Sequence, residues 1–261
     1  MIQRVLYDNC PLCETTDLSM DATYDCSSHP AYSINLPSFM TWLTCDSCGH
    51  NFTDGYFDED GFSEIGRVAH PNQVFSIRDY EKNRFITGKI ISRVSDVLGH
   101  SRGKWLDVGF GNGGLLLTAK EFGFQVTGLE FRKEAITALS PYVFDLRNED
   151  FLEMPESDKF HVISMADVLE HVSFPKVYIE KSHHLLQDNG LLFISMPNRG
   201  APIWSILNQQ NSNPYWNEIE HFHNFSREGL VEVMEKFDFE MVHYGMSERY
   251  RACMELIFKK L

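Results

Sequence analysis

From residue 104 onward, short apolar runs alternate with longer stretches in which apolar positions recur every three or four residues. The runs predict strands at 104–108 (KWLDV), 124–130 (FQVTGLE), 142–146, 160–166 (FHVISMA) and 190–197 (GLLFISMP). The periodic stretches predict helices at 113–122, 132–140 and 175–186, the second ended by Pro141 and the third followed by an Asn189-Gly190 turn. Strands alternating with helices point to a parallel sheet, because a parallel neighbour is reached only by a long return path and a helix supplies it. An earlier helix starts near Asp79; its Ile86, Ile90, Val94, Val97 and Leu98 share one face, and Gly99 is placed to end it. A helix at 226–237, with Ser226 as cap and Glu228 in its first turn, is followed by two stretches, 239–246 and 252–259, that read as an antiparallel hairpin at the sheet edge. The expected fold class is α/β: a mostly parallel seven-stranded sheet with an antiparallel edge strand.

Residues 1–60 carry a different pattern. Cys10 and Cys13 form one C-x-x-C hook and Cys45 and Cys48 a second, with 31 residues between them. Two such hooks can deliver four thiolates to a tetrahedral ion, and zinc is the usual occupant. A redox disulfide needs only one C-x-x-C, and iron–sulfur ligation uses more closely clustered cysteines. So short a segment buries little core, so the metal is expected to fold it. Cys26 and Cys253 read as small buried apolar residues, and His50 as a bystander of the second hook. The layout is therefore a zinc-binding module at 1–60, a connector at 61–78 and a larger domain at 79–261. Within that domain, residues 199–224 carry Trp204, Tyr215, Trp216 and Phe222 and are long for a connection between elements. They are expected to form a substrate lid, with a hydrophobic cover for the sheet or an oligomer contact as the alternatives.

The candidate chemistry lies at the end of the strand 104–108. In LDVGFGNGG, Gly109, Gly111 and Gly114 satisfy G-x-G-x-x-G, and Gly113 adds a fourth glycine. Such a turn brings backbone amides close to a nucleotide-like ligand at the start of a helix. Asp107 selects among ligands: a pyrophosphate would meet a carboxylate there, whereas a cofactor with a cationic end would be attracted. Glu130 ends the next strand, 19 residues after Gly111, where an acidic side chain accepts hydrogen bonds from ribose hydroxyls.

The stretch LDVGFGNGG resembles the first motif of class I S-adenosylmethionine-dependent methyltransferases, and FHVISMADVLEHV at 160–172 resembles their fourth-strand motif. The resemblance spans roughly 79–258 and implies a Rossmann-like class I methyltransferase fold with S-adenosylmethionine as cofactor. It further implies that Asp107, Gly109, Gly111, Gly113 and Glu130 hold the cofactor. Asp150 would meet the adenine amino group (Glu149 being the alternative), Phe151 would lie against the ring, and Asp167 would line the mouth. The four-cysteine segment resembles zinc-binding modules that precede some methyltransferases, including those acting on nucleotide-linked deoxysugars. Candidate general bases are His171, His221 and His223, because imidazole titrates near neutrality. Asp167, Glu170 and His171 form D-x-x-E-H, which resembles the E-x-x-E-H metal site of ubiquinone-pathway O-methyltransferases and small-RNA end methyltransferases; a second divalent metal is a candidate there, with His221 or His223 as fourth ligand.

Net charge narrows the partners. With 23 Lys and Arg against 37 Asp and Glu, the chain carries −14, which argues against a nucleic-acid partner. No basic start leads into an apolar run, and no apolar stretch is long enough for a membrane span, so a cytoplasmic protein is expected. The reading is methyl transfer to an oxygen, nitrogen or carbon nucleophile of a small-molecule, natural-product or sugar-like acceptor. Its rivals are an NAD(P)-dependent oxidoreductase on the same sheet and a non-catalytic zinc-dependent binding protein. Oligomeric state is not legible.

Overall fold

A computed structural model of the chain describes residues 2–69 and 74–261; Met1 and residues 70–73, the latter inside the connector expected at 61–78, lie outside the described residues. In chain order the elements are β1 (Val5–Leu6), β2 (Leu18–Asp25), β3 (Phe39–Cys45), β4 (Asn51–Thr53), β5 (Gly55–Tyr56), α1 (Glu59–Ala69), α2 (Ile77–Leu98), β6 (Lys104–Val108), α3 (Gly114–Phe122) and β7 (Gln125–Leu129). There follow α4 (Lys133–Leu139), β8 (Asp145–Arg147), β9 (Phe160–Ala166), α5 (Pro175–Leu185), β10 (Leu186–Pro197), α6 (Pro202–Gln209), β11 (His223–Asn224), α7 (Arg227–Glu235), β12 (Phe239–Met246) and β13 (Cys253–Lys260). No helix among the described residues is long and apolar enough to cross a membrane.

The chain divides into two compact units. Met1–Asn72, Leu169–Lys176 and Pro197–Val233 form a cysteine unit; Gln73–Val168, Val177–Met196 and Met234–Leu261 form a sheet unit. The division differs from the linear boundaries at 60 and 79, because two later segments return to the cysteine unit.

Among its described residues, the sheet unit has seven strands in the order β12-β13-β10-β9-β6-β7-β8. β6 pairs parallel with both β7 and β9, β7 with β8, and β9 with β10. β12 and β13 pair antiparallel. The chain runs outward from β6 to β8 and then returns to β9 on the other flank of β6. Such a reversal opens a crevice at the carboxyl ends of the two central strands. The core joins Ile90, Ile91 and Val94 of α2 to Trp105, Val162, Phe193 and Ile257 of the sheet. α2 starts where the Ser76 hydroxyl accepts the Asp79 amide at 3.1 Å and stops at Gly99, whose φ of 81° suits glycine.

The cysteine unit carries a four-stranded antiparallel sheet in the order β11-β4-β3-β2. Its fourth strand is drawn from the expected lid: His223 pairs with Phe52, and Asn224 with Asn51. Trp42, Phe52, Phe57, Ile219 and Phe222 are buried together in this unit's interior, and the Trp42 indole N–H donates to the Trp216 carbonyl at 2.9 Å. Trp216 and Phe222 of 199–224 thus serve as core, which periodicity could not disclose because their partners Trp42 and Phe57 lie over 150 residues earlier in the chain.

Gly113 separates packing from chemistry. Its φ is 76°, and a Cβ there would sit 2.5 Å from Leu139 Cδ2 of α4. The glycine lets α3 and α4 approach. Gly113→Ala should therefore lower stability by about 1–3 kcal/mol, read as a drop of several degrees in a thermal melt.

Candidate functional site

β6 carries Asp107 to the crevice one residue before its end, and the chain then turns through Gly109 and Gly111, with φ of 64° and 59°. A Cβ on Gly111 would meet nothing closer than 3.9 Å, so this part of the turn faces open space that a ligand can fill. The glycine at 113 does not share that role; its missing Cβ is filled by Leu139.

Asp107 is 2% exposed. The Ser164 hydroxyl of β9 donates to its Oδ1 at 2.5 Å. Burial nevertheless raises the carboxyl from 3.8 to about 7; Ser164 and Arg249 pull it down, and Glu130 pushes it up. Few environments lower the energy of such a group better than a cation arriving from the crevice.

Glu130, just past β7, is buried, and its carboxylate accepts from the Gly111 amide at 3.0 Å and from the Arg132 amide at 3.0 Å. The Arg132 guanidinium closes on the same carboxylate at 3.0 Å. Ribose hydroxyls would exchange with these donors. Phe131 follows and is 69% exposed. Asn148 donates to the carbonyls of Glu130 and Phe131 at 2.9 and 2.8 Å, fixing the backbone that presents this ring. Phe151, expected against the adenine, turns inward instead: it is 2% exposed and stacks on Tyr178 at 5.4 Å. Asp150 caps the short helical turn after it, accepting the Leu152 amide at 2.9 Å. The exposed aromatic surface beside Glu130 is therefore Phe131, which sequence reasoning passed over although it adjoins the acidic residue.

Asp167 follows β9 with a φ of 58°. Its carboxylate pairs with Arg249 from the β12–β13 turn, Nη1 to Oδ2 at 2.9 Å and Nη2 to Oδ1 at 3.2 Å. Nη2 of Arg249 also donates to the Ser195 hydroxyl of β10 at 2.7 Å. No sequence signal links positions 82 residues apart.

The histidines belong to the cysteine unit. Ligand-type atoms of Glu170, His171 and His221 lie within 4.8 Å of one another, without Asp167. His171 Nδ1 donates to the Glu220 carbonyl at 2.9 Å. Burial, reinforced by His171, His29 and His223, drives His221 well below the usual imidazole range. His223 does not fit the expected role of base. Its Nε2 donates to the Val172 carbonyl at 2.9 Å, its Nδ1 accepts from His50 Nε2 at 3.0 Å, and burial lowers it to about 3. His50 thus stays outside the cysteine cluster, as expected, and forms half of a buried pair.

Four cysteine sulfurs converge in the same unit. Cys10, Cys13, Cys45 and Cys48 Sγ lie within 4.8 Å of one another, with Cys10–Cys48 at 3.7 Å and Cys13–Cys45 at 3.5 Å. Tetrahedral Zn–S bonds of about 2.3 Å require sulfur separations near these values. The Cys48 amide donates to Cys45 Sγ at 3.4 Å, and Gly49, at φ 71°, turns the knuckle. The Cys10 sulfur, followed by burial, raises the Cys48 thiol.

Known proteins share this architecture. The 1,6-didemethyltoxoflavin-N1-methyltransferase of Burkholderia thailandensis, solved with 1,6-didemethyltoxoflavin and S-adenosylhomocysteine, superposes with a TM-score of 0.60 at 16% identity, covering 85% of this chain and 95% of that one. Magnesium protoporphyrin IX methyltransferase of Synechocystis, with bound S-adenosylhomocysteine, gives 0.55 at 15% identity over 79% and 97%. The ubiquinone biosynthesis O-methyltransferase of Glaesserella parasuis is 32% identical over 116 residues, 40% of this chain. The chain spans about half the length of such curated relatives, 49% in that case. Residues 80–244 match the sequence model of the methyltransferase domain, and the chain belongs to that family.

Proposed function

We propose that the protein transfers the methyl group of S-adenosylmethionine to a nucleophilic atom of a small-molecule acceptor. The observation that carries this reading is Asp107: a carboxylate buried at the switch point of a parallel sheet, beside an open glycine turn. Bound there, the cofactor would supply a methyl group already activated on a cationic sulfur. Asp107 would attract its cationic tail, Glu130 would accept from the ribose and Phe131 would cover a face of the adenine. The rival NAD(P) reading would set a diphosphate against Asp107, which is unfavourable in so dry a site. The family match weighs against a purely non-catalytic role.

In the cysteine unit, Cys10, Cys13, Cys45 and Cys48 would hold a structural zinc, and Glu170, His171 and His221 would hold a second divalent ion. The donor types fit both: a closed thiolate set for zinc, and one carboxylate with two imidazoles for a first-row metal. His221 is kept neutral and so suited to ligation. Asp167 leaves this set for Arg249.

Asp107 makes cofactor affinity depend on pH. It must be ionised to attract the cation, and it protonates near pH 7. Calorimetry with S-adenosylhomocysteine should show a plateau above pH 8 and a fall of about tenfold per unit well below 7. Asp107→Asn should cost about 2–5 kcal/mol of that affinity. The same variant should melt higher than the parent at pH 8. In the parent, the pKa of the Asp107 carboxyl is raised on folding, so ionisation opposes the folded state above pH 4 and most fully above 7, and the amide removes that opposition. Equal affinity in the variant would contradict the reading.

Metal analysis of protein purified without chelator should find about one zinc per chain that survives dialysis. Cys13→Ser should lose it and melt lower. His221→Ala should keep that zinc while losing a second, exchangeable ion.

A further inference from the structure

We propose that Arg249 is the acceptor-binding residue of the sheet unit and that it receives an oxyanion, of carboxylate or phenolate type, on the molecule to be methylated. The proposal rests on the methyl-transfer reading above and narrows its acceptor.

The order of strands places Arg249. Glu130 and Phe131 follow β7, where the nucleoside would lie, and Asp107 lies near the end of β6, where the cationic tail would lie. The next strands across are β9 and β10. Each strand adds about 4.8 Å. Arg249 sits on the residue after β9, Asp167, and on Ser195 of β10, and so lies beyond the tail on the side away from the nucleoside.

The guanidinium is held for such a task. Asp167 grips both Nη atoms and fixes the plane, and Ser195 accepts a further N–H from Nη2. The buried Nε has no hydrogen-bond partner among the described residues. The Arg249 and Asp167 side chains remain 23% and 25% exposed, so the pair is not sealed. A guanidinium with one edge fixed and further donors on its other edges is a preorganised receptor for an oxygen anion.

The role also fits the state of two candidate bases: His223 is hydrogen-bonded at both ring nitrogens, and His221 is buried. An acceptor held as an oxyanion against Arg249 has already lost its proton to water and needs no imidazole. Its lone pair forms the O–CH3 bond as the C–S bond breaks, and the C–S electrons stay on sulfur, leaving a neutral thioether.

Calorimetry on the full chain tests the proposal with benzoate and its uncharged counterpart benzamide as probes, each titrated into protein saturated with S-adenosylhomocysteine. Benzoate should bind wild type at least about tenfold more tightly than benzamide. Arg249→Gln should abolish that preference, and Arg249→Lys should restore part of it. The Gln variant should bind S-adenosylhomocysteine within about threefold of wild type. Should Arg249→Gln unfold, the double variant Asp167→Asn/Arg249→Gln, which leaves neither charge unpaired, carries the same test. Absence of a benzoate preference in wild type, or its survival in the Gln variant, overturns the proposal. So does a tenfold loss of S-adenosylhomocysteine affinity in that variant with 5′-methylthioadenosine unaffected, which would assign the guanidinium to the cofactor's own carboxylate. Failure of wild type to bind S-adenosylhomocysteine would instead sink the underlying reading.

Discussion

Burying a carboxylate without a full counter-charge is expensive, and the sheet unit does so at its centre. Asp107 has the Ser164 hydroxyl, the more distant field of Arg249 and little else to offset its lost hydration. Polar atoms in such a position are a standing invitation to a cation. The neighbouring features follow from it. β6 must be flanked on both sides, or the carboxylate would be solvated. The turn after it must be glycine, or side chains would close the space a ligand needs. The opposing charges around the crevice, Asp167 with Arg249 and Glu130 with Arg132, keep the rim from adding further uncompensated charge.

The cysteine unit meets a different constraint. Two strands of its four-stranded sheet are short: β4 has three residues and β11 has two. So little sheet cannot hold itself together by ladder bonds alone. Two things compensate within the unit: the convergence of four thiols onto a volume suited to one ion, and an aromatic interior assembled from segments far apart in sequence. Histidines in that interior are neutral through burial, which suits ligation and hydrogen bonding more than proton transfer.

Much of the sheet unit was legible because its signals are local. Apolar runs located the strands, although β8 begins three residues later than expected and β10 begins at Leu186, taking in the expected Asn189-Gly190 turn; Gly99 ended α2 as its position suggested, and the terminal hairpin fell within a residue of expectation. The cysteine hooks were equally plain, since ligand spacing is a property of one turn. What escaped depends on distance. The aromatic segment at 199–224 reads as a lid until its partners at Trp42 and Phe52 are known. Phe151 and Phe131 are equivalent in the sequence, and only tertiary packing sends one inward. Gly113 sits in the glycine-rich turn LDVGFGNGG, yet Leu139 fills the place of its Cβ. Arg249 stands in a polar turn with no mark of function, and its meaning comes from Asp167 and Ser195.

The central claim is that Asp107 is held in the folded protein as a carboxyl awaiting a positive charge. Carbon-13 NMR titration of that carboxyl, alone and with saturating S-adenosylhomocysteine, tests it most directly. The account predicts a midpoint near pH 7 in the protein alone that falls by more than about one unit when the ligand's ammonium arrives. An ordinary aspartate midpoint near 4 in both states, or a raised midpoint that the ligand leaves unmoved, would contradict it.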